Sequence, residues 1–217
     1  MMRRTVLPLA VIALVLASCG GESATTATTA EPSPSVTETA GVMSTPTYAW
    51  SPGASPIPAA TIPTQEGSNA GFTSSANGWE FKPTVDIEVT DLGYFDGSGD
   101  GLRHAHPVGI FDAETKVLLV KTNVRPDSPL DGAYRFATIA PISLEAGRSY
   151  VVVTVSDPPF DPEVQDPTGL VFAPEIEYGG YRDAPGDEFR LPSPLYLFEF
   201  ITANFKYRPL WVVSPTP

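Results

Sequence analysis

The chain has 217 residues, which is enough for one domain or for one domain with a long tail. Its 13 Lys and Arg stand against 25 Asp and Glu, a formal net charge of -12, and so acidic a chain lacks the clustered cations that nucleic acid requires. With one Cys and two His, the composition excludes a disulfide framework and a multi-cysteine metal site.

The first residues have the pattern of an export signal. Arg3-Arg4 precedes an apolar run from Val6 to Ala17, which is too short to cross a bilayer but has the length of a signal-peptide core. The run ends in Leu16-Ala17-Ser18-Cys19, which resembles a bacterial lipobox. We therefore expect residues 1–18 to be removed, Cys19 to be lipidated, and the exported protein to be held at a membrane. The alternative is an ordinary secretory signal with an incidental Cys.

The next segment, residues 19–70, is predicted to be a disordered stalk. Positions 20–70 hold 17 Ser or Thr, 7 Pro and 9 Ala, with four Glu and no Lys or Arg. Because this composition has no apolar periodicity, we do not expect the segment to build a core. We interpret it as a tether that holds a folded domain away from the membrane.

Residues 71–217 are predicted to form one all-β domain. Short strand patterns alternate with turn signals, and we find no convincing stretch of helical period. The unbroken β-branched run from Tyr150 to Val155 predicts a strand covered on both faces, and Gly93 is expected at a bulge. The resulting prediction is an antiparallel β-sandwich of seven to nine strands, jelly-roll or immunoglobulin-like. The strands are expected at 85–89, 108–111, 116–124, 134–139, 150–155 and within 195–207.

A long stretch from Asp157 to Pro194 interrupts this strand pattern. It carries eight Pro and many acids, among them Asp161 and Glu163. Loops of this length in compact domains are often functional, and the plain alternative is a solvated crossover pinned by its prolines.

A series of short motifs resembles one family of bacterial surface domains. The series resembles the extracellular β-sandwich ectodomain of exosortase-sorted (PEP-CTERM) surface proteins over about residues 78–155. The resemblance implies a sandwich to which no activity is assigned. The chain departs from that pattern because it lacks the C-terminal sorting helix, and the lipobox would supply the anchor instead. The motifs that carry the resemblance are Gly78-Trp79-x-Phe81, Leu92-Gly93-x-Phe95-Asp96, Gly99-Asp100-Gly101-Leu102, His106-x-Val108-Gly109-Ile110-Phe111-Asp112, Tyr134-Arg135-Phe136 and Leu144-x-Ala146-Gly147.

A glycine-rich acidic loop is the sharpest candidate for a metal site. Asp96, Ser98 and Asp100 occupy alternate positions, as the oxygen ligands of a calcium loop do. Pro107 stands where an EF-hand has its bidentate Glu, so the pattern is not that of an EF-hand. The loop is either a partial calcium site, completed by acids from elsewhere, or a plain turn for which Asp and Gly are preferred.

Two further groups are candidates for binding. His104 and His106 stand two residues apart, so both imidazoles can face one side of a strand and hold a transition metal, although the sequence offers no evident third ligand nearby. The alternative for His106 is a structural hydrogen bond. Tyr178 and Tyr181 are candidates for glycan stacking if they are exposed, and for core packing if they are not.

The chain shows no catalytic motif, and we therefore expect it not to be an enzyme. It has no nucleophile elbow, no phosphate loop and no zinc-protease signature. The function expected is a lipid-anchored protein of the bacterial cell envelope, outside the cytoplasmic membrane, that presents a non-catalytic binding or adhesion module, with calcium as a stabilising ion. Its partners would be the membrane, through Cys19, and a glycan or an envelope protein. The alternatives are a structural envelope component without a soluble ligand, and a glycan-binding module or glycoside-active domain.

Overall fold

The computed structural model describes residues 48–49, 55–63, 67, 73–194 and 200–212, and these belong to one compact unit. Within them the chain is all-β, with eight strands of seven or more residues and seven strands of two residues. The strands are β1 Tyr48–Ala49, β2 Ile57–Pro58, β3 Ala60–Thr61, β4 Ser75–Pro83, β5 Ile87–Phe95, β6 His106–Asp112, β7 Leu118–Val124, β8 Leu130–Asp131, β9 Tyr134–Leu144, β10 Tyr150–Ser156, β11 Val171–Phe172, β12 Ile176–Pro185, β13 Ser193–Pro194, β14 Ala203–Pro209 and β15 Trp211–Val212.

Two antiparallel sheets make up the body of the fold. One has six strands in the order β13-β12-β4-β10-β6-β7, and the other has five in the order β2-β14-β5-β9-β8. Two short pairs, β1 with β15 and β3 with β11, complete the described strands. The antiparallel sandwich predicted from the alternation of apolar and polar residues is therefore confirmed.

The core lies between the two sheets and is centred on Trp79 of β4. Its ring is fully buried and packs on Phe81 at 5.5 Å and on Phe205 of β14 at 5.8 Å between centroids. The indole Nε1 donates a hydrogen bond of 2.7 Å to the carbonyl oxygen of Ala203, in the opposite sheet. A single side chain thus adds both apolar burial and a directional bond between the sheets.

Strand β10 is buried along its whole length, as its β-branched run predicts. Val152 faces the main core, whereas Val151 and Val153 join Phe111 in a second apolar cluster. Phe189, from the segment after β12, packs against that second cluster. Water is therefore excluded from the middle of the outer face of the six-stranded sheet, because the segment after β12 packs over it.

Two local predictions require correction, and one strand was not predicted at all. Gly93 does not interrupt its strand: β5 continues to Phe95, and the register shift against β9 falls instead between Val89 and Asp91. Strand β4 was not predicted, although it pairs with both β10 and β12. Strand β12 lies inside the stretch that was expected to be one long loop.

Residues 55–63 lie with the sandwich rather than with the stalk in which their composition places them. Ala59 and Ala60 are fully buried, and strand β2 pairs with β14. Asn204 fixes the segment, because its side-chain amide donates to the carbonyl oxygen of Ala60 at 2.7 Å and its side-chain oxygen accepts from the Ala60 amide at 3.2 Å. The folded body therefore begins earlier in the chain than residue 71.

The turn between β6 and β7 is built on the buried carboxylate of Asp112. Its Oδ1 accepts hydrogen bonds from the backbone amides of Glu114 at 3.0 Å and Thr115 at 2.8 Å, and its Oδ2 pairs with Arg148. These bonds favour the charged carboxylate, so the pKa of Asp112 lies below its ordinary value, chiefly because of the bond from Thr115.

We expect the replacement Asp112→Asn to remove part of the pH dependence of stability. A lowered carboxyl pKa stabilises the fold above the unfolded pKa, near 4, and that stabilisation is lost as the pH falls through the folded value. Since Arg148 is partly exposed, solvent screens its charge, and the effect depends chiefly on the bonds from the turn amides. Urea unfolding between pH 2.5 and pH 7 measures it. The two proteins should converge at the acid end, and equal pH profiles throughout would contradict the assignment.

Candidate functional site

A buried histidine is the centre of the most polar part of the sandwich interior. His106 opens β6, is fully buried, and stacks on the ring of Tyr94 at 3.7 Å between centroids and 14° between planes. Its Nδ1 donates to the carbonyl oxygen of Val155 at 3.2 Å. Its Nε2 lies 2.6 Å from Oδ2 of Asp161, so one proton is shared between these two atoms.

Asp161 reaches this position from the loop that follows β10. The side chain is 3% exposed, and both of its oxygens accept from the backbone amide of Arg103, at 2.9 and 3.2 Å. The carboxylate thereby connects the loop after β10 to the segment that leads into β6. Because β10 pairs with β6, residues separated by 55 positions in the chain meet at one place.

His104 lies beside this pair, two residues before the start of β6. Its ring centroid is 4.1 Å from that of His106, and its Nε2 lies 3.0 Å from Oδ1 of Asp157. Its Nδ1 is buried and has no hydrogen-bond partner among the residues that the structure describes. One potential ligand atom from each of His104, His106 and Asp161 lies within 4.8 Å of the others.

A second carboxyl group continues the polar cluster beneath Tyr94. Glu163 is 6% exposed, and its Oε1 accepts from the hydroxyl of Ser156 and, at 3.4 Å, from that of Tyr94. Burial raises the pKa of Glu163 to about 7, against the lowering effect of these hydrogen bonds. Burial and the neighbouring Glu163 also raise the pKa of Tyr94. Burial therefore favours the protonated, uncharged form of the Glu163 carboxyl group.

The glycine-rich loop that was predicted to bind calcium follows β5. Asp96 is 6% exposed, and its carboxylate accepts from the backbone amides of Gly99 at 3.1 Å and Gly101 at 3.2 Å. Arg135 also pairs with this carboxylate, through a 2.6 Å bond from Nε. A guanidinium therefore already neutralises the first of the three predicted ligands.

The other two predicted calcium ligands lie at the outer side of the same loop. The hydroxyl of Ser98 donates to the carboxylate of Asp100, and both residues line one small depression together with Asp96 and Asp161. The structure thus brings the three loop residues together and places the buried aspartate of the histidine cluster next to them. Whether calcium binds there stays a prediction.

The two tyrosines predicted to contact a ligand pack toward the core. Tyr181 is only 6% exposed, and Tyr178 stacks on Phe172 at 4.7 Å between ring centroids. A bulge in β12 is responsible, because the register against β4 shifts between Tyr178 and Gly180. The extra residue, Gly179, turns both tyrosines to the face that carries Trp79. The Gly-Gly pair marks this bulge in the sequence, and the tyrosines do not form an exposed stacking platform.

No protein-family model matches the chain, and no curated protein matches its sequence. In the part of the chain that the structure describes, no helix is long and apolar enough to cross a membrane. The predicted lipidation site, Cys19, lies outside the described residues.

Proposed function

We propose that this protein is a lipid-anchored bacterial cell-surface protein whose β-sandwich is a non-catalytic binding or adhesion module. The burial of the ionisable cluster carries the proposal. His106 is fully buried, and Asp161 and Glu163 are 4% and 6% exposed. A general acid or base must reach the substrate, but His106 and Asp161 bond to each other, Asp161 also accepts from the backbone, and Glu163 accepts from the Ser156 hydroxyl.

The sequence supports the anchored location. The lipobox at Cys19 and the Ser/Thr/Pro/Ala-rich composition that follows it suit a domain held outside the membrane on a tether. The resemblance to exosortase-sorted surface domains favours the same location and stays a prediction.

The edge of the six-stranded sheet is the surface that favours binding. Strand β7 ends that sheet, and at its start Val117, Leu118 and Leu119 are 54%, 41% and 39% exposed. Among the described residues β7 pairs on one side only, with β6. An edge strand with apolar side chains suits an extended segment of another envelope protein, which would pair with its backbone.

A structural envelope component without a soluble ligand is the second candidate. The inward packing of Tyr178 and Tyr181 favours it, since it removes the aromatic patch on which a glycan would have stacked. The two candidates differ in whether the folded domain, once free of its lipid anchor, binds a separate partner.

The proposed function predicts that the full-length protein, produced in a bacterial host, incorporates labelled fatty acid and that Cys19→Ser abolishes this labelling. The Cys19→Ser protein, being free of the anchor, should cosediment with isolated cell envelopes. Adding Leu118→Lys and Leu119→Lys should weaken this binding at least tenfold, which corresponds to about 1.4 kcal/mol. The matched control is Val171→Lys, an apolar residue of β11 that is 60% exposed.

The labelling result tests the anchor, and the cosedimentation result distinguishes the two candidates. Absence of labelling contradicts the anchor, and absence of cosedimentation favours the structural component. A broad hydrolase screen supplies the remaining check: turnover that disappears when one carboxylate is replaced would overturn the non-catalytic role.

A further inference from the structure

We propose that His104, His106 and Asp161 form a binding site for a divalent transition-metal ion of the zinc class. The ligand set comes from two neighbouring segments, the entry to β6 and the loop after β10. One potential ligand atom from each of the three residues lies within 4.8 Å of the others. The ligand set differs from that of the calcium prediction, which concerns Asp96, Ser98 and Asp100, and it does not depend on the proposed function.

The hydrogen bonds of the two histidines are the first argument. A metal-ligating histidine as a rule donates through its second nitrogen to a carbonyl or carboxylate oxygen, which fixes the ring and its tautomer. In His106, Nδ1 donates to the carbonyl oxygen of Val155 at 3.2 Å. In His104, Nε2 lies 3.0 Å from the carboxylate of Asp157. Each ring therefore has one nitrogen held by an acceptor and one nitrogen left for a metal.

The remaining nitrogens are the second argument. Nε2 of His106 faces Oδ2 of Asp161 at 2.6 Å, in full burial. A metal ion between them would take the place of the shared proton. Nδ1 of His104 is buried without a hydrogen-bond partner among the described residues. A buried nitrogen without a hydrogen-bond partner destabilises the fold, and a bound metal ion would supply the missing partner.

The donor types select the class of ion. Two imidazole nitrogens and one carboxylate oxygen suit zinc and related first-row divalent ions, whereas calcium and magnesium prefer oxygen ligands alone. Zinc bonds of about 2.0–2.1 Å place tetrahedral ligand atoms about 3.3 Å apart, so His104 must come closer and the 2.6 Å pair of His106 and Asp161 must open slightly. His104 can provide this closure, because it precedes β6 in an irregular segment and its side chain is 26% exposed. Its exposed side also gives the ion a path to the buried ligands.

Zinc titration of the full-length protein tests the site. The protein is made without a polyhistidine tag, freed of metal by a chelator, and titrated with zinc ion in isothermal calorimetry. We expect one zinc ion per chain. At a free zinc concentration about 100-fold above the Kd, the melting temperature should rise by roughly 5–10 °C. Calcium ion at the same concentration should not reproduce this rise.

Two variants distinguish this site from adventitious zinc. His104→Gln should lower zinc affinity at least tenfold and leave the metal-free melting temperature close to that of the unmodified protein, because this side chain is partly exposed. Asp157→Asn, which changes only the group that orients His104, should lower affinity about 10-fold. Asp100→Asn is the matched control, since it removes a nearby surface carboxylate. Zinc binding that is absent, or that is equal in the protein and in His104→Gln, would overturn the proposal.

Discussion

The replacement Gly78→Ala is expected to cause a large loss of stability. Gly78 lies in β4, between β10 and β12, and its residue partners there are Val153 and Arg182. A methyl group at this position would come within 1.9 Å of the carbonyl oxygen of Val152. The obstacle is backbone in the middle of a six-stranded sheet, so it cannot move aside as a side-chain end would. We expect a cost of about 3 kcal/mol or more, and a melting temperature lower by on the order of 10 °C.

Gly179→Ala is the matched control for this effect. Gly179 also lies in a strand of the six-stranded sheet, but a methyl group there would meet the side chain of Glu80, at 2.9 Å from Cγ. The nearest atoms there all belong to the Glu80 side chain, which must shift together with its ion pair to Arg182, so the cost should be smaller than at Gly78, where backbone is the obstacle. Thermal unfolding of both variants measures the difference. Equal losses would show that the close approach of β4 and β10 is not what restricts position 78 to glycine.

The strands that were predicted correctly are those whose own residues alternate or are uniformly β-branched. The β-branched run at 150–155 became β10, and the alternating segment at 85–89 overlaps the start of β5, because both patterns are visible within a few residues. Strand β4 was missed since its first half, Ala76-Asn77-Gly78, has no apolar alternation. It is held in place instead by neighbours on both sides, β10 and β12, which sequence does not identify.

The prediction of one long loop after β10 was wrong for a different physical reason. Its prolines and Gly179-Gly180 are typical of loops, yet the glycine pair is a bulge inside β12 and the strand continues through it. Bulges and turns draw on the same residue types, and only the partner strand decides between them. The inward direction of both flanking tyrosines follows from that choice.

Two of the three residues of the candidate site were predicted from the sequence. The spacing of His104 and His106 indicated a pair of imidazoles, and the structure places their rings 4.1 Å apart. The third member, Asp161, is one of many acids in its stretch, and nothing local marks it. It joins the histidines because β10 pairs with β6 and thereby brings the loop at 157–163 over the start of β6.

The second large effect is expected for Asp96→Ala, the first residue of the glycine-rich loop. The side chain is 3% exposed and accepts from the amides of Gly99 and Gly101 and from Nε of Arg135. Its removal would leave three donors without their acceptor, one of them on a guanidinium whose side chain is only 14% exposed. Breaking such a buried pair costs about 3–5 kcal/mol, so we expect the melting temperature to fall by on the order of 10 °C.

The same measurement separates the structural role of this loop from the calcium prediction. Asp100 is exposed, so Asp100→Ala should change the metal-free stability by less than about 0.5 kcal/mol. Since Arg135 already balances the charge of Asp96, calcium must compete with a bound guanidinium. We therefore expect Asp96→Ala to lose the same stability in EDTA and in millimolar calcium. A calcium-induced rise of the unmodified protein that both Asp96→Ala and Asp100→Ala abolish would instead assign the loop to calcium, with Arg135 displaced from the carboxylate when the ion binds.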